Sequence, residues 1–228
     1  MSELDPARVL LIIATLGRRP EYLTQTIDSI KDQSTLVDLV IVGPTGNQAL
    51  QELAEKHKIP ILPDPGSLPA AINLGATVLK DHHEYLNWLN DDDLLEPQTL
   101  HKVVAVLDKN PSASVAFGHC RYIDAHGARL WVSRAGKWAP KILAWGPDLV
   151  PQPGMLVRSH VWKVAGGIDP SYSLAFDLDL LLRLKKLGPI ICVPTVVSSF
   201  RWHRDSLTVE DRTKNLQESE RAKREALP

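Results

Sequence analysis

Cysteine is scarce: Cys120 and Cys192 are the only two, too few for a disulfide framework or a thiolate metal cluster. Buried, inert thiols in a reducing compartment are the reading that suits them. No stretch approaches the ~18 consecutive apolar residues of a membrane span. The opening residues, Met1 to Pro6, carry neither the basic flank nor the apolar run of a secretory signal. A cytoplasmic chain is therefore expected. An excess of one charge is missing too, since 26 lysines and arginines face 27 acids for a formal net charge of -1. Without a global basic field, no nucleic-acid partner is expected, and any anionic ligand has to be met by local cations. Internal repeats and low-complexity tracts are also absent.

What is present is material for one well-filled core, 228 residues of which 44% are hydrophobic. Short, solidly apolar runs at 9–14, 36–42, 59–62 and 85–89 read as strands buried on both faces. Between them, 20–32, 48–58 and 68–79 have helical spacing, so the order alternates and predicts a parallel sheet. A helix entered at Pro97 and stopping near Asn110-Pro111 leads to a strand at 115–122 and a hairpin turn at Asp124-Ala125-His126-Gly127. Residues 133–153, with four prolines, two glycines and two tryptophans, are expected to be partly irregular and to face an acceptor. Beyond them come a short helix at 159–164, a leucine-rich helix at 176–187 and a closing strand at 190–200. The last segment, 209–226, is a charge-dense helix with little apolar face, read as a peripheral tail.

The fourth strand delivers Asn90-Asp91-Asp92-Asp93 at its carboxyl end, where chemistry is often found in α/β sheets. Adjacent carboxylates repel one another, and a bound Mg2+ or Mn2+ offsets that repulsion while bridging to diphosphate oxygens. Capping of the following helix would account for one of the acids but not for three. Arg18 and Arg19 follow the first strand in a glycine-containing loop, a place for cations that meet a diphosphate, or else a solvated surface pair. Thr15 either bonds the nucleotide or caps the turn. Asn73 either supports sugar or phosphate or is a helix amide satisfied by backbone. His203, beside Arg201 and Arg204, is a metal or phosphate contact or a structural histidine.

Leu89-Asn90-Asp91-Asp92-Asp93, with Pro97 four residues on, resembles the metal motif of family 2 glycosyltransferases, which have the GT-A fold. Other pieces follow in the family's order. Ala14-Thr15-Leu16-Gly17-Arg18-Arg19-Pro20 is similar to the nucleotide-binding loop, and Leu68-Pro69-Ala70-Ala71-Ile72-Asn73 to the segment before the metal strand. Gln152-Pro153-Gly154, Gly166-Gly167-Ile168-Asp169, Asp177-Leu178-Asp179-Leu180 and Phe200-Arg201-Trp202-His203 extend the likeness over about residues 8 to 208. The chain departs from the pattern at Asn90, where the motif's first aspartate usually stands, at Gly43-Pro44, at His119 and at Phe176.

The resemblance implies an α/β fold, a GT-A-like three-layer α/β/α sandwich with a central mostly parallel sheet over residues 1–208, followed by the charged helical tail 209–228. It implies a metal-dependent glycosyltransferase that moves a hexosyl or deoxyhexosyl residue from a nucleotide diphospho-sugar to a hydroxyl, with inversion, in cell-envelope or capsular glycan synthesis. Asp92 is then the principal ligand of Mn2+ or Mg2+, with Asp93, Asn90 and His203 beside it. Thr15, Arg18, Arg19, Asn73 and Asp91 are placed on the donor, and Asp177 is the general base. The acceptor would be a saccharide or a lipid-linked saccharide. A lipid-linked acceptor would bring the chain to the inner face of the cell membrane, with Trp138, Trp145 and the C-terminal helix as contacts.

Two other readings stay open. A sugar-1-phosphate nucleotidyltransferase would need a glycine-rich phosphate loop near the first strand, and Thr15-Leu16-Gly17-Arg18-Arg19 is not one. A glycan-binding or assembly subunit that has kept the fold and lost turnover is the alternative that the departures at Asn90, Gly43 and Phe176 suggest.

Overall fold

A computed structural model of the chain describes residues 6–134, 136–202 and 212–227. Strand β1 (Val9–Ala14) shows why apolar runs without alternation build this fold. Leu10 and Ile12 point into one core, and Val9, Leu11 and Ile13 into another on the opposite face of the sheet. The other early elements follow in alternation: α1 (Pro20–Lys31), β2 (Val37–Gly43), α2 (Gln48–His57), β3 (Ile61–Pro63), α3 (Leu68–Ala76) and β4 (Tyr85–Asn90). Proline opens α1 and lies in the first turn of α3, while the side chains of Asn47 and Ser67 cap α2 and α3.

Next come β5 (Leu94–Leu95), α4 (Leu100–Lys109), β6 (Val115–Ile123) and β7 (Arg129–Ser133). A single 3-10 turn (Gly136–Trp138) and the one-turn α5 (Ala139–Ile142) occupy the stretch expected to be irregular. The chain then forms β8 (Leu156–Arg158), α6 (Ser159–Ala165), α7 (Phe176–Leu187), β9 (Ile190–Arg201) and α8 (Arg212–Ala226). The hairpin turn at 124–127 is present, closed by the Asp124 N–H to Ala128 carbonyl bond at 2.9 Å, with Gly127 at a φ of 87°. Pro97 lies ahead of α4, in a turn where Gln98 has a φ of 53°, so that helix starts later than its sequence spacing suggests.

The nine strands form one sheet in the order β3-β2-β1-β4-β8-β6-β9-β5, with β7 paired to β6. Strands β1, β2, β3, β4, β6 and β9 run one way, whereas β5, β7 and β8 run against them. Helices α1, α2 and α4 cover one face through Leu23, Ile27, Leu50, Val103 and Leu107. On the other face lie α3, α6 and α7, through Ala71, Ile72, Trp162, Leu180 and Leu184. The result is the three-layer sandwich with a mostly parallel sheet. Gly75 permits the close seating of α3, because a Cβ there would collide with the Ile12 side chain of β1.

The charge-dense helix α8 docks by polar contacts in place of the apolar stripe it lacks. Its Glu218 carboxylate accepts the N–H groups of Ser173, Leu174 and Ala175 at 2.8 to 3.2 Å, together with the Ser173 hydroxyl at 2.8 Å. These donors lie in the turn just ahead of α7 and end at Ala175, the residue before its first, so a residue more than forty positions away fixes the entry to that helix. Burial pushes the Glu218 carboxyl up, but the hydrogen bonds from Leu174, Ala175 and Ser173 more than offset this and leave it below the ordinary glutamate range. Glu218 therefore stabilises the fold above that ordinary range, and the contribution is lost as pH falls through the lowered value. Glu218→Ala should cost about 2–3 kcal/mol in urea unfolding at neutral pH, since it strands charge-assisted donors at a helix start. Unchanged stability would mean that Glu218 does not brace the entry of α7.

Candidate functional site

Parallel pairing brings the carboxyl ends of β1 and β4 side by side, with Ala14 in register with Asn90. Two loops separated by more than seventy residues consequently meet. The Thr15 hydroxyl donates to the Asp91 carboxylate, and the same oxygen accepts the Gly17 N–H at 2.9 Å. Thr15 thus caps its own turn and joins the acidic turn at once. Arg19 reaches Asp92, with Nη1 3.0 Å from Oδ2. Arg18 is exposed on the same loop.

The three acids are not equivalent. Asp93 is fully buried, and its two oxygens accept the Arg201 N–H at 3.0 Å and the Asn90 side-chain amide at 2.9 Å. Burial, reinforced by the neighbouring Asp92 charge, pushes its carboxyl well above the usual range. Asp91 is also raised, first by burial and next, against the Thr15 hydrogen bond, by Asp92. Asp92 is 8% exposed beside them. Crowded carboxylates that push one another upward make a turn at which a divalent cation would lower the energy. The donor set is all oxygen, from Asp91, Asp92 and the Asn90 amide. That is the chemistry Mn2+ and Mg2+ prefer, so these residues fit such an ion.

Arg201 carries this turn, a role its sequence position did not indicate. It is buried at the end of β9 and donates from Nε to the Asp92 carbonyl at 3.0 Å and from Nη2 to Gln25 at 2.8 Å. Its guanidinium also lies 4.3 Å from the centroid of the Tyr22 ring. The cation thereby holds the acidic turn, α1 and the 124–127 hairpin together. An arginine closing the final strand was the only available signal. His203 lies outside the described residues.

Asp177 stands in the first turn of α7, whose Phe176 ring packs 6.1 Å from Trp88. Trp88 is two residues before Asn90 on β4, so α7 starts at the same end of the sheet as the acidic turn. Asp177 has a carboxylate partner that the sequence reading missed, Asp148, in the loop after α5. Burial raises Asp177, and burial plus the Asp177 charge raises Asp148 to about 7. Two neighbouring buried carboxyls raised in this way are suited to holding or accepting one proton. Asp179, by contrast, pairs with Arg183 at 2.5 Å, and Arg183 also bonds the Gly167 carbonyl at 2.9 Å, bracing the turn before α7.

Asn73 sits apart from these groups. Its amide nitrogen donates to the Ile168 carbonyl at 2.8 Å and its oxygen accepts the Ile168 N–H at 2.9 Å, the backbone-satisfied arrangement of the two that were open. At the far end of β2, His83 donates from Nε2 to Asp38 at 3.0 Å, because its Nδ1 is occupied by the Lys80 N–H at 2.9 Å. His82 lies 3.6 Å from the same oxygen, so Asp38, His82 and His83 bring their ligand atoms within 4.8 Å of one another, a group that could hold a metal ion and that is distant from the acidic turn.

Comparison with known proteins identifies the family and the fold. The family model described as glycosyl transferase family 2 matches residues 10–160. An uncharacterized glycosyltransferase of Rickettsia felis is 23% identical over 212 residues, 85% of this chain and 34% of that protein. One from Methanocaldococcus jannaschii is 21% identical over 173 residues, 72% of this chain and 60% of that protein. This chain thus spans about a third to three fifths of the length of these relatives. Among solved structures, residues 1–349 of TarS from S. aureus in complex with UDP superpose with a TM-score of 0.68 at 14% identity, over 96% of this chain and 65% of that one. The mannosyltransferase PcManGT from Pyrobaculum calidifontis, in complex with GDP-Man and Mn2+, gives a TM-score of 0.62 at 16% identity, over 85% of this chain and 56% of that one. Its fold is GT-A, and by the match across two thirds of its length this chain belongs to glycosyl transferase family 2.

Proposed function

We propose that this chain transfers a sugar from a nucleotide diphospho-sugar to the hydroxyl of a saccharide or lipid-linked saccharide, with inversion, in cell-envelope or capsular glycan synthesis. The observation that carries the reading is the junction of the β1 loop with the acidic turn, through Thr15 to Asp91 and Arg19 to Asp92. It puts a fixed cation and a set of hard oxygen ligands at one strand end, where a diphosphate needs both. The UDP and GDP-Man complexes of the structural neighbours support a nucleotide-sugar donor. The envelope role rests on the resemblance in sequence.

In this reading Asp92, with Asp91 and the Asn90 oxygen beside it, holds Mn2+ or Mg2+, which supplies neutralising charge for the departing diphosphate. Asp93 and Arg201 keep the turn in shape from below. Arg19, and Arg18 on the same loop, add positive charge toward the phosphates. Asp177 takes the proton of the acceptor hydroxyl as its oxygen bonds to the anomeric carbon from the face opposite the leaving group. The bond from that carbon to the phosphate oxygen breaks, and the nucleoside diphosphate departs. Burial holds the Asp177 carboxyl above its usual range, which favours proton uptake, and the Asp177 charge in turn raises Asp148 to about 7.

The test is thermal stabilisation with a panel of nucleoside diphosphates and nucleotide sugars, with and without Mn2+. A ligand that binds only the folded chain raises its Tm, by an amount equivalent to about 2.7 kcal/mol at a hundredfold excess over Kd. One nucleotide sugar should stabilise the chain in a Mn2+-dependent way. No shift with any donor would favour a glycan-binding or assembly subunit with a degenerate site.

A further inference from the structure

Three large apolar side chains are left in solvent around α5 and the end of α7. Trp138 is 61% exposed, Trp145 is 74% exposed and Leu187 is 44% exposed. The two tryptophans bracket α5, since Trp138 precedes Ala139 and Trp145 closes the helix through its N–H to the Ile142 carbonyl at 3.1 Å. A shallow groove joins this corner to the last turn of α7. It is lined by Pro140 and Lys141 on one side and by Lys185, Lys186, Leu187 and the following residues to Ile190 on the other, with no acid among them.

Each lysine has an ordinary explanation taken singly. Lys185 and Lys186 complement the negative end of α7, and Lys141 lies 4.6 Å from the centroid of the Trp138 ring. Neither explanation accounts for two exposed indole rings at the corner of a groove that carries three lysines. Tryptophan prefers the water–lipid boundary, where its ring is half desolvated and its N–H stays wet, and lysines beside it gain from an anionic surface. Among the described residues no helix is long and apolar enough to cross a membrane, so contact here would be with a surface.

We propose that the α5 corner and the C-terminal turn of α7 form a docking surface for an anionic lipid bilayer. The charge complementarity of Lys141, Lys185 and Lys186 selects the bilayer, and Trp138 and Trp145 insert at its boundary. Asp177 lies at the opposite end of α7, roughly 15 Å away for a helix of this length. Docking would therefore hold the base near the membrane without occupying its site, where a lipid-linked hydroxyl becomes accessible.

The experiment is flotation of the full chain with vesicles of phosphatidylcholine alone and of two parts phosphatidylcholine to one part phosphatidylglycerol. Neither contains sugar, so the result is independent of the transfer reaction. The chain should float with the anionic vesicles only, and less well at high salt. Each of Lys141→Gln, Lys185→Gln and Lys186→Gln should weaken binding roughly fivefold. Trp145→Ala should weaken it with the salt dependence kept, and Lys141→Gln, Lys186→Gln and Trp145→Ala should keep the parent Tm because those side chains are exposed. Equal flotation with both vesicle types, or anionic binding that survives the triple lysine variant or Trp145→Ala, would overturn the proposal. So would a dimer in light scattering that Trp145→Ala dissolves, which would make the patch a contact between two copies of this chain.

Discussion

Asp92→Ala should remove the Mn2+-dependent part of nucleotide-sugar stabilisation and slow transfer by roughly 100- to 1000-fold, the loss seen when one transition-state charge contact is deleted. The fold itself should survive. Asp92 is the neighbour that pushes Asp91 and Asp93 upward, so its removal relieves like-charge repulsion inside the turn. The turn keeps its frame, because Asp93 still bonds Asn90 and the Arg201 backbone, and the Thr15 to Asp91 bond is untouched. Calorimetric titration of the donor with and without Mn2+ separates the two effects. Unchanged metal-dependent donor binding would place the ion elsewhere and remove Asp92 from the mechanism.

Asp177→Asn should act on a different step. Asparagine preserves the shape and can still accept the Leu178 N–H that Asp177 Oδ1 takes at 2.8 Å, so donor binding should stay near the parent value. Without a carboxylate no proton is taken from the acceptor hydroxyl, and kcat should fall by roughly 100- to 10,000-fold. The pH profile supplies a second readout. A base works in its deprotonated form, so in the parent kcat/KM should rise with pH through the raised range of the Asp148 and Asp177 pair. In the variant that limb should vanish, and Asp148 should titrate lower because the charge that raised it is gone. Normal turnover in Asp177→Asn would end its assignment as the base.

Among the site residues, those that could be read in advance share one property: their meaning is local. Asn90 to Asp93 stand together at the end of an apolar run, and an acidic cluster at a strand end is visible without knowing what lies across from it. Gly17, Arg18, Arg19 and Pro20 likewise announce a loop that opens a helix. Arg201, Asp148 and Glu218 carried no comparable signal. Arg201 bonds the Asp92 carbonyl across 109 positions, and Glu218 bonds the turn ahead of α7 from 43 to 45 positions away. Asp148 acquires its raised carboxyl from burial in the packed fold and from Asp177, which α7 brings near its loop. Asn73 had two readings, and its pairing with Ile168, 95 positions away, is what separates them.

The same division runs through the fold. Apolar period, capping residues and turn chemistry determined by themselves that this chain alternates strands and helices, buries its first strands on both faces and ends a strand in four polar residues, because those signals act over one or two turns of backbone. Only the tertiary structure decided that β8 runs antiparallel between β4 and β6, that β5 is a two-residue strand on the far edge, and that a charged helix docks by holding the turn ahead of another helix. Strand order and the partners of buried charges depend on which distant groups can satisfy one another once water is excluded. That condition is set by the packed whole, and no local window of sequence contains it.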